Sequence, residues 1–161
     1  WRNVTKEDEL SASGDAYTSI DFPLFRTADA YLMAAEAILR GASGTKSEAL
    51  GYVNEVRTRA YMSGKYAKNG VRSDVSGEIG ANELDLDFLL LERQKELASE
   101  LIRRTDLIRF GKYTKGNNWD WKNGVRLGED VDDKYNLFPI PESELTNNPT
   151  LVQNDGYKVI K

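Results

Sequence analysis

The sequence contains neither histidine nor cysteine. That removes the commonest general base, the usual zinc ligands, thiolate nucleophiles and any disulfide. Carboxylates are the chemistry-bearing groups that remain, and two sets stand out. Glu92, Glu96 and Glu100 recur every four residues, so a helix would set them on one face. Two of them could act as an acid and a base. Arg93, Arg103 and Arg104 lie beside them, however, and would lower the pKa that a proton donor at neutral pH needs raised. The second set is Glu129, Asp130, Asp132 and Asp133. It offers the oxygen ligands that Ca²⁺ takes, yet lacks the glycine and distal glutamate of an EF-hand loop. A solvated acidic turn is the reading its spacing favours, and no metal site is assigned. No glycine-rich stretch matches a P-loop or a dinucleotide fingerprint. The expectation is a protein without catalysis and without a cofactor.

Bulk properties narrow the class further. The chain has 161 residues, 40% of them hydrophobic and 30% charged, which suits a globular domain with a real core. A net charge of −4 is opposite to what a phosphate backbone attracts, so no nucleic-acid partner is expected. No window approaches the run of apolar residues that a membrane-spanning helix needs.

The charged residues must be positioned by helices. The stretch LLLERQKELASELIRRTDLIRFG, residues 89–111, carries the longest helical pattern in the sequence. Leu89, Leu90, Leu97 and Leu101 fall near one face, widened by Leu91, Ala98 and Ile102, which predicts burial against at least two neighbours. Its charges permit two readings: a wet, salt-bridged helix face, or a clamp on neighbouring segments that Asp106 and Arg109 continue. Upstream, Thr27 reads as a helix N-cap followed by ADAYLMAAEAILR. Gly41 and Gly44 end that helix, and Thr45 with Glu48 forms a capping box for a second one that breaks near Gly64. The pair makes an antiparallel hairpin whose small and large residues fit a tetratricopeptide-like unit. Residues 63–82 read as a loop, with Asn82 or Asp85 capping the next helix. Residues 112–134 are irregular and hold Tyr113, Trp119 and Trp121; Pro139 and Pro141 then impose an extended path.

Four stretches in order resemble a known family. They are FRTADAYLMAAEAILRG, ALGYVNEVRTRAY, ERQKELASELIRRTDLIRFGK and LFPIPESELTNNPTLVQNDGY. Together they are similar to the C-terminal region of the SusD/RagB family, surface glycan-binding lipoproteins of Bacteroidetes-type bacteria. The resemblance covers roughly residues 22–157, leaving 1–21 as an irregular lead-in and 158–161 as a tail. Arg104, Thr105 and Ser99 depart from positions where the family often carries aromatics, which predicts a more polar corner.

The resemblance implies an all-α fold: a tetratricopeptide-like hairpin plus a long helix with extended, irregular loops. It also implies a C-terminal piece of a longer chain. It implies capture of an oligosaccharide or polysaccharide at the outer-membrane cell surface, with a SusC-type TonB-dependent transporter as partner. Membrane attachment would be only through a lipid anchor that this sequence lacks. No enzymatic activity is implied, so glycoside hydrolysis by Glu92, Glu96 or Glu100 is not expected. Aromatic faces that stack on sugar rings, next to groups that bond hydroxyls, make Trp119, Trp121 and Tyr113 the glycan-binding candidates. Their flanking polar residues are Asn117, Asn118, Asp120 and Lys122. The alternative is that both tryptophans plug the loop onto the helices. Trp1 and Tyr17 are weaker candidates. The resemblance also gives Glu92, Arg93, Glu96, Glu100, Arg103, Asp106 and Arg109 the role of a fixed ion-pair network that docks the hairpin and the proline-containing tail. A helical-repeat scaffold that binds a protein, with no glycan site of its own, is the competing function.

Overall fold

Residues 24–62, 77–116 and 119–158 are described by a computed structural model of the chain. Their regular structure consists of α1 (Thr27–Leu39), α2 (Lys46–Met62), α3 (Leu86–Glu96), α4 (Arg103–Arg109) and α5 (Glu142–Asn147). Two 3₁₀ turns, Lys122–Gly124 and Asp133–Asn136, lie between α4 and α5. No strand occurs among the described residues, in keeping with the all-α class. Trp1, Tyr17, Gly64, Asn117 and Asn118 lie outside the described residues. The chain forms two compact units, Trp1–Glu100 and Leu101–Lys161.

In the first unit, α1 and α2 pack through small residues, which allows close approach of the two backbones. Ala28, Leu32 and Ala35 of α1 meet Ala49, Val53 and Val56 of α2, and Leu84 and Leu89 complete the core. Fully burying a leucine stabilises by about 1.5–3 kcal/mol, and Leu32 and Leu89 are completely shielded. Tyr31 stacks on Tyr52 with ring centroids 5.6 Å apart. At the end of α1 the Ala42 N–H donates to the Ala37 carbonyl and the Gly41 N–H to the Ile38 carbonyl. Gly41, at φ 100°, supplies the left-handed residue this termination requires. The capping box of α2 forms: the Glu48 N–H donates to Thr45 Oγ1, and the Thr45 N–H donates to Glu48 Oε2 at 2.6 Å. Thr27 is the first helical residue rather than the cap. Arg26 occupies the cap position and makes no side-chain cap bond, because a guanidinium has only donors and cannot accept from the helix N–H groups.

The helical pattern of residues 89–111 is not one helix. Asp85 caps α3 by accepting from the Phe88 N–H at 2.7 Å, and α3 ends at Glu96. Ser99 (φ 66°) and Leu101 (φ 61°) are left-handed, and α4 starts at Arg103. In a continuous helix the Glu96 carbonyl would accept from the Glu100 N–H. Here that N–H bonds the Leu97 carbonyl, and the Glu96 carbonyl accepts from Arg26 Nη2 at 2.8 Å. A cation at a helix C-terminus also meets the favourable end of the helix dipole. A tertiary partner thus replaces the local bond that periodicity presumes, and Leu101 is left 84% exposed.

In the second unit α4 closes with the same glycine termination as α1. The Lys112 N–H donates to the Leu107 carbonyl and the Gly111 N–H to the Ile108 carbonyl. Beyond it the chain runs through the two 3₁₀ turns and the short α5.

Candidate functional site

The glutamates of α3 face arginines from α2 and from the entry to α1. Arg57 Nη1 donates to Glu92 Oε2 at 2.6 Å while its Nε donates to the Gly77 carbonyl. Its guanidinium also lies 5.5 Å from the ring centres of Phe88 and Tyr61. Asn54 pins the same segment with two bonds, donating to the Ile79 carbonyl and accepting from the Ile79 N–H. Arg26 spans Glu96 and Glu100, with Nη1 2.9 Å from Glu96 Oε1 and Nη2 2.7 Å from Glu100 Oε1. Hydrogen bonding to Glu100 foremost, then to Glu96, raises the Arg26 pKa against the opposing pull of burial. Arg59 is a second partner of Glu96. Arg93, whose side chain is 2% exposed, lies 2.8 Å from Asp29 Oδ1 of α1. That contact is a charge pair rather than an aligned hydrogen bond, since no N–H points at Asp29 Oδ1.

Each compact unit holds its own described ion pairs among the expected network residues. Glu92, Arg93, Glu96 and Glu100 pair with the hairpin, within the first unit. In the second unit, Asp106 is buried and accepts from Arg109 Nη2 at 2.7 Å. Burial lowers the Arg103 pKa, and Asp106 opposes that shift. Arg104 of α4, read from the sequence as a cation near the glutamates and as a departure from a family pattern, reaches the tail. Its Nη2 donates to the Tyr135 and Asn136 carbonyls at 2.9 and 3.3 Å. Its guanidinium sits 4.2 Å from the centre of Phe138 and 4.9 Å from that of Tyr113. The proline-containing tail is closed on itself by Gln153, which donates to the Ile140 carbonyl and accepts from the Ile140 N–H. Tyr157 donates its hydroxyl to the Leu137 carbonyl.

The aromatic candidates are not equivalent. Tyr113 and Trp119 pack together, centroids 5.7 Å apart and planes tilted by 35°. Trp121 stands apart and is 65% exposed, against 41% for Trp119. Lys122, expected as a polar flank, is 1% exposed. Its Nζ donates to the Gly116 carbonyl at 2.9 Å and lies 5.2 Å from the Trp119 ring centre. Nothing in the local sequence signals that burial, since a lysine between an aspartate-flanked tryptophan and an asparagine reads as surface.

The acidic residues point to local donors. Glu129 accepts from Asn123, Asp130 from the Gly116 N–H, Asp132 from the Lys134 N–H, and Asp133 from Thr114 Oγ1. The Thr114 hydroxyl first, then Lys115, holds the Asp133 carboxyl below its ordinary pKa. Among the described residues no three carboxylates converge on a point where a cation could sit.

A sequence model of the SusD family matches residues 2–157. The chain belongs to the SusD family. It is 38% identical over 159 residues to the starch-binding protein SusD of Bacteroides thetaiotaomicron, covering 98% of this chain and 25% of that protein. It is 30% identical over 151 residues to the SusD-like protein P2 of Formosa agariphila, covering 92% of this chain and 28% of the relative. The SusD-like protein P25 of the same organism is 33% identical over 83% of this chain and 23% of its own length. The chain thus spans about a quarter of the length of the SusD-family relatives it matches.

Proposed function

We propose that this protein is a non-catalytic glycan-binding subunit of an outer-membrane nutrient uptake system. It captures an oligosaccharide or polysaccharide at the cell surface and passes it to a SusC-type TonB-dependent transporter. The observation that carries the reading is the 38% identity to a starch-binding SusD across 98% of the chain. The aromatic loop agrees with it. An exposed indole can cover the apolar face of a pyranose while neighbouring charged groups bond its hydroxyls. Binding without turnover is consistent with α3 and the turn after it, where Glu92, Glu96 and Glu100 are each paired to an arginine. The transporter partnership is tested by tagging the full-length protein and recovering its complex from outer membranes. Co-purification of a TonB-dependent transporter is the expected result. Recovery without one, from a protein that still retains polysaccharide, removes the transporter from the account.

A further inference from the structure

We infer that Trp121 is the ligand-contacting residue of the aromatic loop and that Lys122, buried beside it, is the residue that positions it. The inference rests on the glycan reading above and assigns separate roles to residues which that reading groups together. The first observation is the backbone. Trp121 (φ 64°) and Asn123 (φ 57°) are both left-handed without being glycine, and they flank Lys122. Side chains avoid this conformation, so a pair of such residues persists only where surrounding contacts impose it. The contacts are present. The Trp121 N–H donates to the Arg126 carbonyl, and the Gly124 N–H donates to the Trp121 carbonyl. Asn123 donates to Glu129 at 2.6 Å.

The second observation is the anchor. Burying an ammonium group is unfavourable unless partners meet it. Lys122 Nζ meets the Gly116 carbonyl and the face of Trp119. Gly116 is itself fixed from its other side, because its N–H donates to Asp130. Lys122 therefore ties residue 116, residue 119 and the turn into one piece. Trp119, flanked by Tyr113 and by Lys122, is part of that scaffold. With Lys122 directed inward, Trp121 remains outward and 65% exposed.

The third observation is the surroundings of the indole. Asp120 and Arg126 are exposed, and Arg126 is brought beside Trp121 by the bond to its carbonyl. An exposed indole whose backbone neighbours carry an acid and a base suits a sugar ring, whose own apolar face is bordered by hydroxyls.

The test uses the full-length protein in native gels containing soluble starch, laminarin or xylan, with deuterium exchange measured over residues 119–128. Trp121→Ala is expected to weaken retention by about tenfold or more without moving the melting temperature. Lys122→Met is expected to weaken retention and to speed exchange in the loop. In the Trp121→Ala background it should weaken retention no further, because it acts through Trp121. If Lys122→Met fails to fold, Lys122→Gln, which is shorter and takes the charge off the Trp119 face, is read in the same way. Wild-type retention that survives Trp121→Ala overturns the ligand assignment and leaves the glycan reading standing. Unchanged loop exchange in the Lys122 variant, or a loss that persists without Trp121, overturns the positioning role. Wild-type protein retained by no polysaccharide overturns the glycan reading and the ligand assignment together, while exchange still decides whether Lys122 orders the loop.

Discussion

Replacing Arg26 by methionine isolates the polar contribution of the residue that joins α1 to the end of α3. Methionine keeps most of the apolar stem and removes the guanidinium. Lost with it are bonds to Glu100 Oε2, to Glu96 Oε1 and to the Glu96 carbonyl. An exposed ion pair contributes about 0–1 kcal/mol, whereas breaking a buried one costs about 3–5 kcal/mol. Arg26 is 27% exposed, with Glu96 and Glu100 at 10% and 16%, so the case falls between these limits. Glu96 keeps Arg59 as a partner, which softens the loss. The expected cost is about 2–3 kcal/mol, or roughly 5–10 °C in a chain of this size. Far-UV circular dichroism is a suitable probe, because the three longest helices among the described residues belong to this unit. Partial burial predicts that most of the loss persists at high salt, where exposed pairs are screened. A cost below about 0.5 kcal/mol, or one that disappears at high salt, would mean that these charges are a solvated face and that Arg26 does not set the end of α3.

Three further outcomes follow from the same geometry. Gly77→Ala should destabilise by at least about 1–2 kcal/mol, because the glycine has φ 72° and an added Cβ would strike the Tyr61 ring; a thermal melt reads the change. Arg104→Leu should release the tail, seen as faster deuterium exchange over residues 135–138 and a stability loss of about 1–2 kcal/mol; unchanged exchange would show that the tail holds itself through Gln153 and Tyr157. Thr114→Val should raise the Asp133 pKa toward its ordinary 3.8, since the Thr114 hydroxyl is the largest cause of its depression. A depressed carboxylate stabilises above its unfolded value and loses that contribution as pH falls through its folded value. The effect of Thr114→Val should therefore fade below pH 3.8, and carbon-13 titration of the Asp133 carboxylate reads it.

Local signals placed much of the helical framework. Thr45 with Glu48, Asp85, Gly41 and Gly111 act at helix ends through bonds that span only a few residues, so sequence spacing suffices to see them. The end of α3 was hidden for the opposite reason. Leu97, Leu101 and Ile102 prolong the apolar pattern, while the group that takes the Glu96 carbonyl comes from Arg26, 70 residues earlier. Charge partners were hidden in the same way: the sequence displays Glu92 but not that Arg57, 35 residues away, reaches it. In the loop, residue type indicated where aromatic groups are concentrated. It could not distinguish Trp119, packed on Tyr113, from the more exposed Trp121, because that difference depends on two left-handed residues and on the direction taken by Lys122.

Binding without turnover is the claim on which the functional account stands, and one equilibrium measurement addresses it. The full-length protein is titrated with size-defined oligosaccharides from starch, laminarin and xylan, and the sugar is recovered afterwards for length analysis. The account predicts saturable binding to at least one of these glycans and recovery of that glycan at its original length. Absence of binding to every glycan offered, or recovery of shortened chains, would contradict it.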